Sequence, residues 1–328
     1  MRIAILGFGS VGKGLAEVIA RRDLGITITA VADSRSGLID PSGIPAGKIL
    51  ERKRTTGMCG DAGVTANDIL ERGEFDLLVE VTPTNAETGE PALGYIRQAL
   101  AKGIHVVTSN KGPIAVAYPE LAAVARENGA ELRFEATVCG AIPLLQGLRN
   151  GLAGNTIRKL SGVLNGTCNY ILTRMADEGL TYSQALAEAR ELGYAEADPT
   201  YDVKGIDAAI KLVILANTIF GMDKKLSDVE ITGVDSLTTD SFALVEDDDC
   251  TLRLIGEIIP EKEILRVSPR ILPRNHVLVV ENTLNAVTVE ADLAGEVTFI
   301  GKGAGSLETA SAILSDILFI REFHVQRT

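Results

Sequence analysis

Few of the 328 residues are cysteine or histidine, and none of these is placed to cooperate with another. The four cysteines, Cys59, Cys139, Cys168 and Cys250, are scattered and form no CxxC or Cys/His cluster. That pattern excludes a disulfide framework and a zinc site and fits a reducing compartment. The three histidines, His105, His276 and His324, offer Cys139 no evident partner, so it reads as a small buried residue and not as a nucleophile. No apolar run reaches the roughly 18 residues a membrane span requires. The opening residues, MRIAILG, enter a strand and a turn at once, without a basic region, a long apolar stretch or a cleavage site, and a cytoplasmic location is expected. Basic charge is also scarce: 32 Lys and Arg against 44 Asp and Glu give a net charge of -12, so no basic stripe serves nucleic acid or an anionic membrane. Internal repeats and low-complexity segments are absent as well.

A composition that is 46% hydrophobic and 23% charged describes a folded protein, and the length suggests about two domains. Arg2 to Leu6 reads as a short strand, Gly7-Phe8-Gly9-Ser10-Val11-Gly12 as a GxGxxG turn, and Lys13 to Ala20 as an amphipathic helix. A second strand, Ile26 to Ala32, ends at Asp33, about 20 residues past the last glycine, as the dinucleotide-binding arrangement requires. Gly7 would make the turn, Gly9 would admit a pyrophosphate and Gly12 would let helix and strand pack closely, with the phosphates on the helix amides. Asp33 suits the ribose 2′-hydroxyl of NAD and Arg35 the 2′-phosphate of NADP, so NADP is expected to be usable and NAD stays open. Residues 36–65 read as a solvated loop with a short helix; a contribution of Lys48, Arg52, Lys53 or Arg54 to the NADP phosphate is the alternative.

Strands at Phe75 to Val81 and His105 to Thr108 alternate with helices at Gly89 to Gly103 and Leu121 to Asn128, and Glu131 to Thr137 reads as a further strand. This rhythm predicts an α/β fold with a Rossmann-type doubly wound parallel sheet. Ligands in such sheets bind beyond the carboxyl ends of the strands, where Thr82 and Lys111 fall. After Pro143 the rhythm changes. A strand at Ile157 to Leu164, helices from Asn165 to Met175 and Tyr182 to Leu192, and β-rich segments at 251–259, 264–271, 276–281, 286–291 and 296–300 predict an antiparallel or mixed sheet. The expected division is a dinucleotide-binding domain, 1–138, to which a terminal helix within 305–328 returns, and an α+β domain for substrate binding and dimerisation, 139–304.

The segment Ala189 to Lys211 concentrates charge immediately before the apolar run LVILA. Beyond Asp198-Pro199 a helix buried on nearly every side is expected from Val203 onward, and Asp207 and Lys211, four apart, share one of its faces. A surface ion pair is the ordinary reading of such spacing. Apolar surroundings argue instead for a carboxylate and an amine held in a dry pocket, which suits proton transfer or recognition of a polar substrate.

Taken together, GFGSVG near the start, TSNKGP at 108–113, EATVCGAIP at 135–143, GVLNGTCNYILTRM at 162–175, GYAEADPTYDVKGIDAAIK at 193–211 and GKGAG at 301–305 closely resemble homoserine dehydrogenase, in order and from end to end. The resemblance implies NAD(P)-dependent interconversion of L-aspartate 4-semialdehyde and L-homoserine, on the route to threonine and methionine, by a homodimer. It implies Lys211 as proton carrier, Asp207 as the group that orients it, and Lys111 between nicotinamide and substrate with a share in that role. Glu196, Asp202, Thr167 and Tyr194 would bind the substrate. The glycine turn from Gly7 to Gly12, with Arg35, Thr82, Thr108, Ser109, Lys111 and Gly305, would hold the cofactor. Glu135 with the carbonyls of Val138, Gly140 and Ile142 would form a monovalent-cation site suited to sodium. The shortness of the chain after Gly305 implies no appended regulatory domain and no cooperative inhibition by threonine. A dehydrogenase of another small amino acid and a nucleotide-binding protein without activity are the competing readings.

Overall fold

The computed structural model describes residues 1–325, which divide into two compact units: 1–141 with the chain from 305 onward, and 142–304. Residues 326–328 of the expected terminal helix lie outside the described residues. In the first unit, β1 (Arg2–Leu6), β2 (Thr27–Ala32), β5 (Leu77–Glu80), β6 (His105–Thr108) and β7 (Leu132–Arg133) run parallel, in the order β2-β1-β5-β6-β7. Their apolar residues are buried on both faces because helices cover both, as the near-continuous hydrophobic runs require. The helices are α1 (Ser10–Arg21), α2 (Ala46–Thr56), α3 (Ala66–Arg72), α4 (Ala92–Ala101) and α5 (Lys111–Glu127).

Three readings of this unit are corrected. Residues 36–65 are not a loop with a helix alone: β3 (Ser36–Ile39) and β4 (Asp61–Ala62) add two antiparallel edge strands. A side chain anchors this turn, because the Asp33 carboxylate accepts from the N–H groups of Arg35 (2.8 Å) and Ser36 (2.9 Å), and the Ser36 hydroxyl in turn accepts from Cys59 N–H (2.9 Å). The helix expected over Leu121 to Asn128 starts ten residues earlier, with Lys111 in its first turn, because Asn110 caps it by accepting from Gly112 N–H at 3.2 Å. The strand expected through Thr137 stops at Arg133 and tightens into a 3₁₀ turn over Glu135–Thr137. There the N–H of Glu135 goes to the Asp316 carboxylate (2.8 Å) instead of to a strand.

The second unit is built on a six-stranded sheet in the order β13-β12-β8-β10-β11-β9. Its strands are β8 (Ile157–Val163), β9 (Glu230–Ile231), β10 (Cys250–Ile259), β11 (Ile264–Pro273), β12 (Leu284–Ala291) and β13 (Gly295–Lys302), antiparallel except for the β9–β11 pair. The segment 276–281, expected as a strand, is a turn-rich crossing whose Leu278 and Val280 join a small core with Val163, Ile255 and Ala286. The helices are α6 (Leu144–Gln146), α7 (Gly166–Glu178), α8 (Tyr182–Glu191), α9 (Thr200–Val203), α10 (Ile206–Ile219) and α11 (Thr239–Glu246). Helix α10 is buried from Ala208 to Asn217, on every side. It begins three residues later than the sequence suggests, because Gly205 takes a left-handed conformation (φ +79°) that separates α9 from α10.

Helix α12 (Ser306–Val325) belongs to the first unit. Gly14 of α1 leaves room for Ser306, whose hydroxyl donates to the Ser10 carbonyl at 2.7 Å. Asp316, fully buried, accepts from Arg133 (3.1 Å) as well as from Glu135 N–H, and the Arg133 guanidinium lies over the Phe319 ring. Among the described residues no helix is long and apolar enough to cross a membrane.

Candidate active site

The glycine turn after β1 meets the steric test of a dinucleotide cradle. Gly7 has φ +100°, and a Cβ there would collide with the Val81 carbonyl. A Cβ on Gly12 would fall on the Gly7 carbonyl oxygen, whereas Gly9 faces open space with nothing within 4 Å. Gly9 caps α1 without any side-chain hydrogen bond, so the first amides of the helix keep no side-chain acceptor of their own. These features fit a pyrophosphate. Phe8 is buried and can offer a ligand only its backbone, while Ser10 is exposed and Val11 half-buried.

At the end of β2, Asp33 is already engaged. Lys53, reaching over from α2, donates to its second carboxylate oxygen at 2.6 Å, and only 9% of the Asp33 side chain is exposed. Burial pushes this carboxyl up, but the Lys53 bond and the amides of Arg35 and Ser36 outweigh it and hold the pKa down at about 2. A depressed folded pKa contributes stability that is present above the ordinary value of 3.8 and is lost as pH falls through about 2. Lys53→Met is therefore expected to lower Tm near neutral pH, with the gap to the wild type closing as pH falls from about 4 to about 2. A gap that stays constant across acid thermal melts would show that the pair contributes nothing. Arg35 is exposed beside this pair.

Glu80, at the carboxyl end of β5 and fully buried, is a residue the sequence reading passed over inside an apolar run. It accepts from Thr82 N–H (2.8 Å), from the Thr82 hydroxyl and from the Thr108 hydroxyl (2.9 Å). Thr82 and Thr108 thus meet on one carboxylate, and Ser109 N–H donates to the Glu80 carbonyl at 3.3 Å. Burial raises the Glu80 carboxyl above the usual range against these hydrogen bonds. Gly305 takes φ +135° immediately before α12.

In the second unit, Lys211 is buried within α10. Its ammonium donates to the Asp207 carboxylate and to the Leu164 carbonyl, both at 2.7 Å. The side chains of the pair are only 10% and 14% exposed, so the ordinary surface-pair reading does not hold. Asn165, also missed from sequence, bridges Asp202 (2.6 Å) and Asp207 (2.9 Å) through its Nδ2. Its Oδ1 accepts from Cys168 N–H (2.8 Å) and caps α7, which settles the orientation of the amide. Asn285 supports the same place by donating to the Leu164 carbonyl at 3.0 Å. The signal for Asn165 was present, since it stands in an N-cap position, but nothing local said that its amide would meet carboxylates 37 and 42 residues away. Cys168 is buried among these groups, and its thiol is raised well above its ordinary value by burial and then by Asp202 and Asp207.

Thr167 and Tyr194 are joined: the Thr167 hydroxyl donates to the Tyr194 carbonyl (2.7 Å), and the Tyr194 ring tilts over Tyr170. Glu196 is exposed on the irregular segment that follows, and no hydrogen bond among the described residues joins it to Asp202, Asp207 or Lys211. The cation candidates Glu135, Val138 and Ile142 are buried, and Cys139 and Gly140 both have positive φ, of 60° and 51°. Among the described residues no group of three or more His, Cys, Asp or Glu side chains could hold a metal ion.

A glycine cradle on a parallel sheet, in a chain that also buries a lysine–aspartate pair among polar side chains, defines a nicotinamide-dependent dehydrogenase acting on a polar substrate. Residues 143–318 match the homoserine dehydrogenase family, and residues 7–135 match the homoserine dehydrogenase NAD binding domain. The chain belongs to the homoserine dehydrogenases. It is 43% identical to the homoserine dehydrogenase of Methanocaldococcus jannaschii, over 98% of both chains. It is 37% identical to an NAD(+)-dependent homoserine dehydrogenase of Pseudomonas canavaninivorans, over 98% of this chain and 96% of that one. A hyperthermophilic archaeal homoserine dehydrogenase solved in complex with NADPH superposes with a TM-score of 0.83 at 33% identity, covering 97% of this chain and 96% of the other.

Proposed function

We propose that Lys211 is the proton carrier in the interconversion of L-aspartate 4-semialdehyde and L-homoserine, and that NADP is the preferred cofactor. The buried Lys211–Asp207 pair carries the first statement. As the aldehyde is reduced its oxygen gains negative charge, and an ammonium held at a fixed place stabilises that charge and then protonates the oxygen. In the reverse direction Lys211 takes the alcohol proton. Asp207, itself held by Asn165, keeps the ammonium aimed. Asp202 and Glu196 supply acceptors for the substrate's ammonium group, and Thr167 with Tyr194 shapes the segment that carries Glu196. Bound on the glycine cradle, the nicotinamide supplies or accepts the hydride. Lys111 is a second candidate for the proton. A lysine in a helix's first turn opposes the macrodipole, which costs about 0.3–1 kcal/mol, and a functional duty accounts for such a placement.

The NADP preference rests on Asp33. Its carboxylate is held by Lys53 and two amides, which leaves it poorly placed to serve a ribose 2′-hydroxyl, while Arg35 and Lys53 bring two cations for a 2′-phosphate. Purified protein with L-homoserine should reduce NADP with kcat/KM at least about tenfold above that for NAD. A preference for NAD would overturn the Arg35–Lys53 reading, and no turnover with either cofactor would overturn the assignment of the substrate site.

Two further assignments complete this reading. Glu135 with the carbonyls of Val138, Gly140 and Ile142 offers one carboxylate and main-chain oxygens, a donor set for a hard monovalent cation such as sodium. The enzyme is a cytoplasmic homodimer. A groove on the second unit's sheet, where Ile271 (60% exposed) and Val277 (51% exposed) stand beside Lys159, Glu257, Arg270 and Glu290, is the mixed apolar and charged surface a second copy would cover. Light scattering at a mass near twice 34.8 kDa tests the pairing.

A further inference from the structure

We propose that Glu80 is a positioning residue for the nicotinamide half of the cofactor, acting through Thr82, Thr108 and Asn110. The inference rests on the placement of that half beyond the carboxyl ends of β5 and β6. Four polar groups from two stretches of chain, 80–82 and 108–110, converge there. Glu80 ends β5, Thr82 opens the turn after it, Thr108 ends β6 beside Glu80 in register, and Asn110 caps α5. An ionised Glu80 can only accept, and this fixes the direction of the two hydroxyl bonds. Asn110 N–H donates to the Thr108 hydroxyl (2.9 Å), which must therefore point its own proton at Glu80. The Asn110 amide lies 3.2 Å from the Thr82 carbonyl and 3.5 Å from the Thr82 hydroxyl, so this hydroxyl too turns its proton to Glu80. The carboxylate is the common acceptor that sets the turns after β5 and β6 against each other.

Packing alone does not call for this arrangement. A fully buried carboxylate is costly, and neighbouring positions of the same strand, Leu77, Leu78 and Val79, fill the interior with apolar side chains at no such cost. What the carboxylate adds is rigidity at the strand ends where this fold binds ligands. Glutamine has nearly the same shape but replaces one acceptor oxygen by a donor, and so sets an N–H against a hydroxyl or amide proton. Loss of one hydrogen bond to a buried charged group corresponds to roughly tenfold or more in an equilibrium.

The test compares wild type, Glu80→Gln and Thr108→Val by two readouts: dissociation constants for NADP and for adenosine 2′,5′-bisphosphate, which lacks the nicotinamide half, and kcat with L-homoserine. The expected result for Glu80→Gln is NADP affinity weaker by about tenfold, bisphosphate affinity within about twofold of wild type, and kcat lower by at least about tenfold. If Glu80→Gln does not fold, Thr108→Val, which removes the hydroxyl that donates to Glu80 and accepts from Asn110 N–H, should show the same split. Equal weakening of NADP and bisphosphate, or unchanged NADP affinity and kcat in the folded variants, overturns the proposal. A wild type that binds NADP but does not oxidise homoserine counts against the substrate reading alone, because the comparison of the two ligands still decides the role of Glu80.

Discussion

Lys211→Ala is expected to lose at least about a hundredfold in kcat while NADP binding stays near the wild-type value, since removal of a positioned general acid typically costs 10² to 10⁴. The geometry makes the loss specific. Leu164 and Asp207 hold the ammonium at 2.7 Å each on a helix buried all round, so no neighbouring side chain can swing into its place without repacking α10. The variant also leaves the Asp207 carboxylate nearly buried without its cation, and breaking such a pair can cost about 3–5 kcal/mol. Asn165 still donates to Asp207, which reduces that cost. Lys211→Met, which retains most of the volume, separates the effects: kcat should fall as far as in Lys211→Ala with a smaller drop in Tm. Steady-state rates with L-homoserine and thermal melts of both variants provide the check. An alanine variant that keeps wild-type kcat would transfer the proton to Lys111.

The second large effect concerns two glycines three residues apart. Gly9→Ala adds a methyl group where nothing lies within 4 Å, so the folded unit should melt close to wild type. The same methyl stands where the pyrophosphate must approach the backbone, and KM for NADP should rise about tenfold or more, the equivalent of about 1.4 kcal/mol. Gly12→Ala drives its methyl into the Gly7 carbonyl oxygen, so α1 must move away from the turn. Overpacking of this kind costs about 1–3 kcal/mol, and both Tm and cofactor binding should suffer. Melting curves and KM for NADP measured side by side give the contrast. Unaltered KM in Gly9→Ala would mean that the pyrophosphate takes another path.

The elements that sequence reading located well are those whose signal is local. The GxGxxG turn needs glycine for reasons contained within the turn and its two neighbouring elements, and the all-round burial of α10 is written in consecutive apolar residues. Asp207 and Lys211 could be paired in advance because one helical turn joins them. The edge strands β3 and β4 were missed because their anchor is a serine hydroxyl meeting a cysteine amide 23 residues away, not a hydrophobic alternation. The strand expected through Thr137 was overridden by a carboxylate on α12, 181 residues distant. Glu80 was hidden by the apolar run that surrounds it, since its acceptors are satisfied mainly by a turn and by a strand that the sequence places 28 residues later.

By itself, then, the sequence determined the two-part architecture, the glycine cradle and the lysine–aspartate pair, because repeating apolar period and short-range spacing impose these wherever the chain folds. Only the tertiary structure decided that Asp33 is bound to Lys53, that Asn165 bridges Asp202 and Asp207, and that Glu80 gathers Thr82 and Thr108. Each of these depends on polar side chains brought together by the packing of separate elements, and burial then obliges every donor and acceptor among them to find a partner.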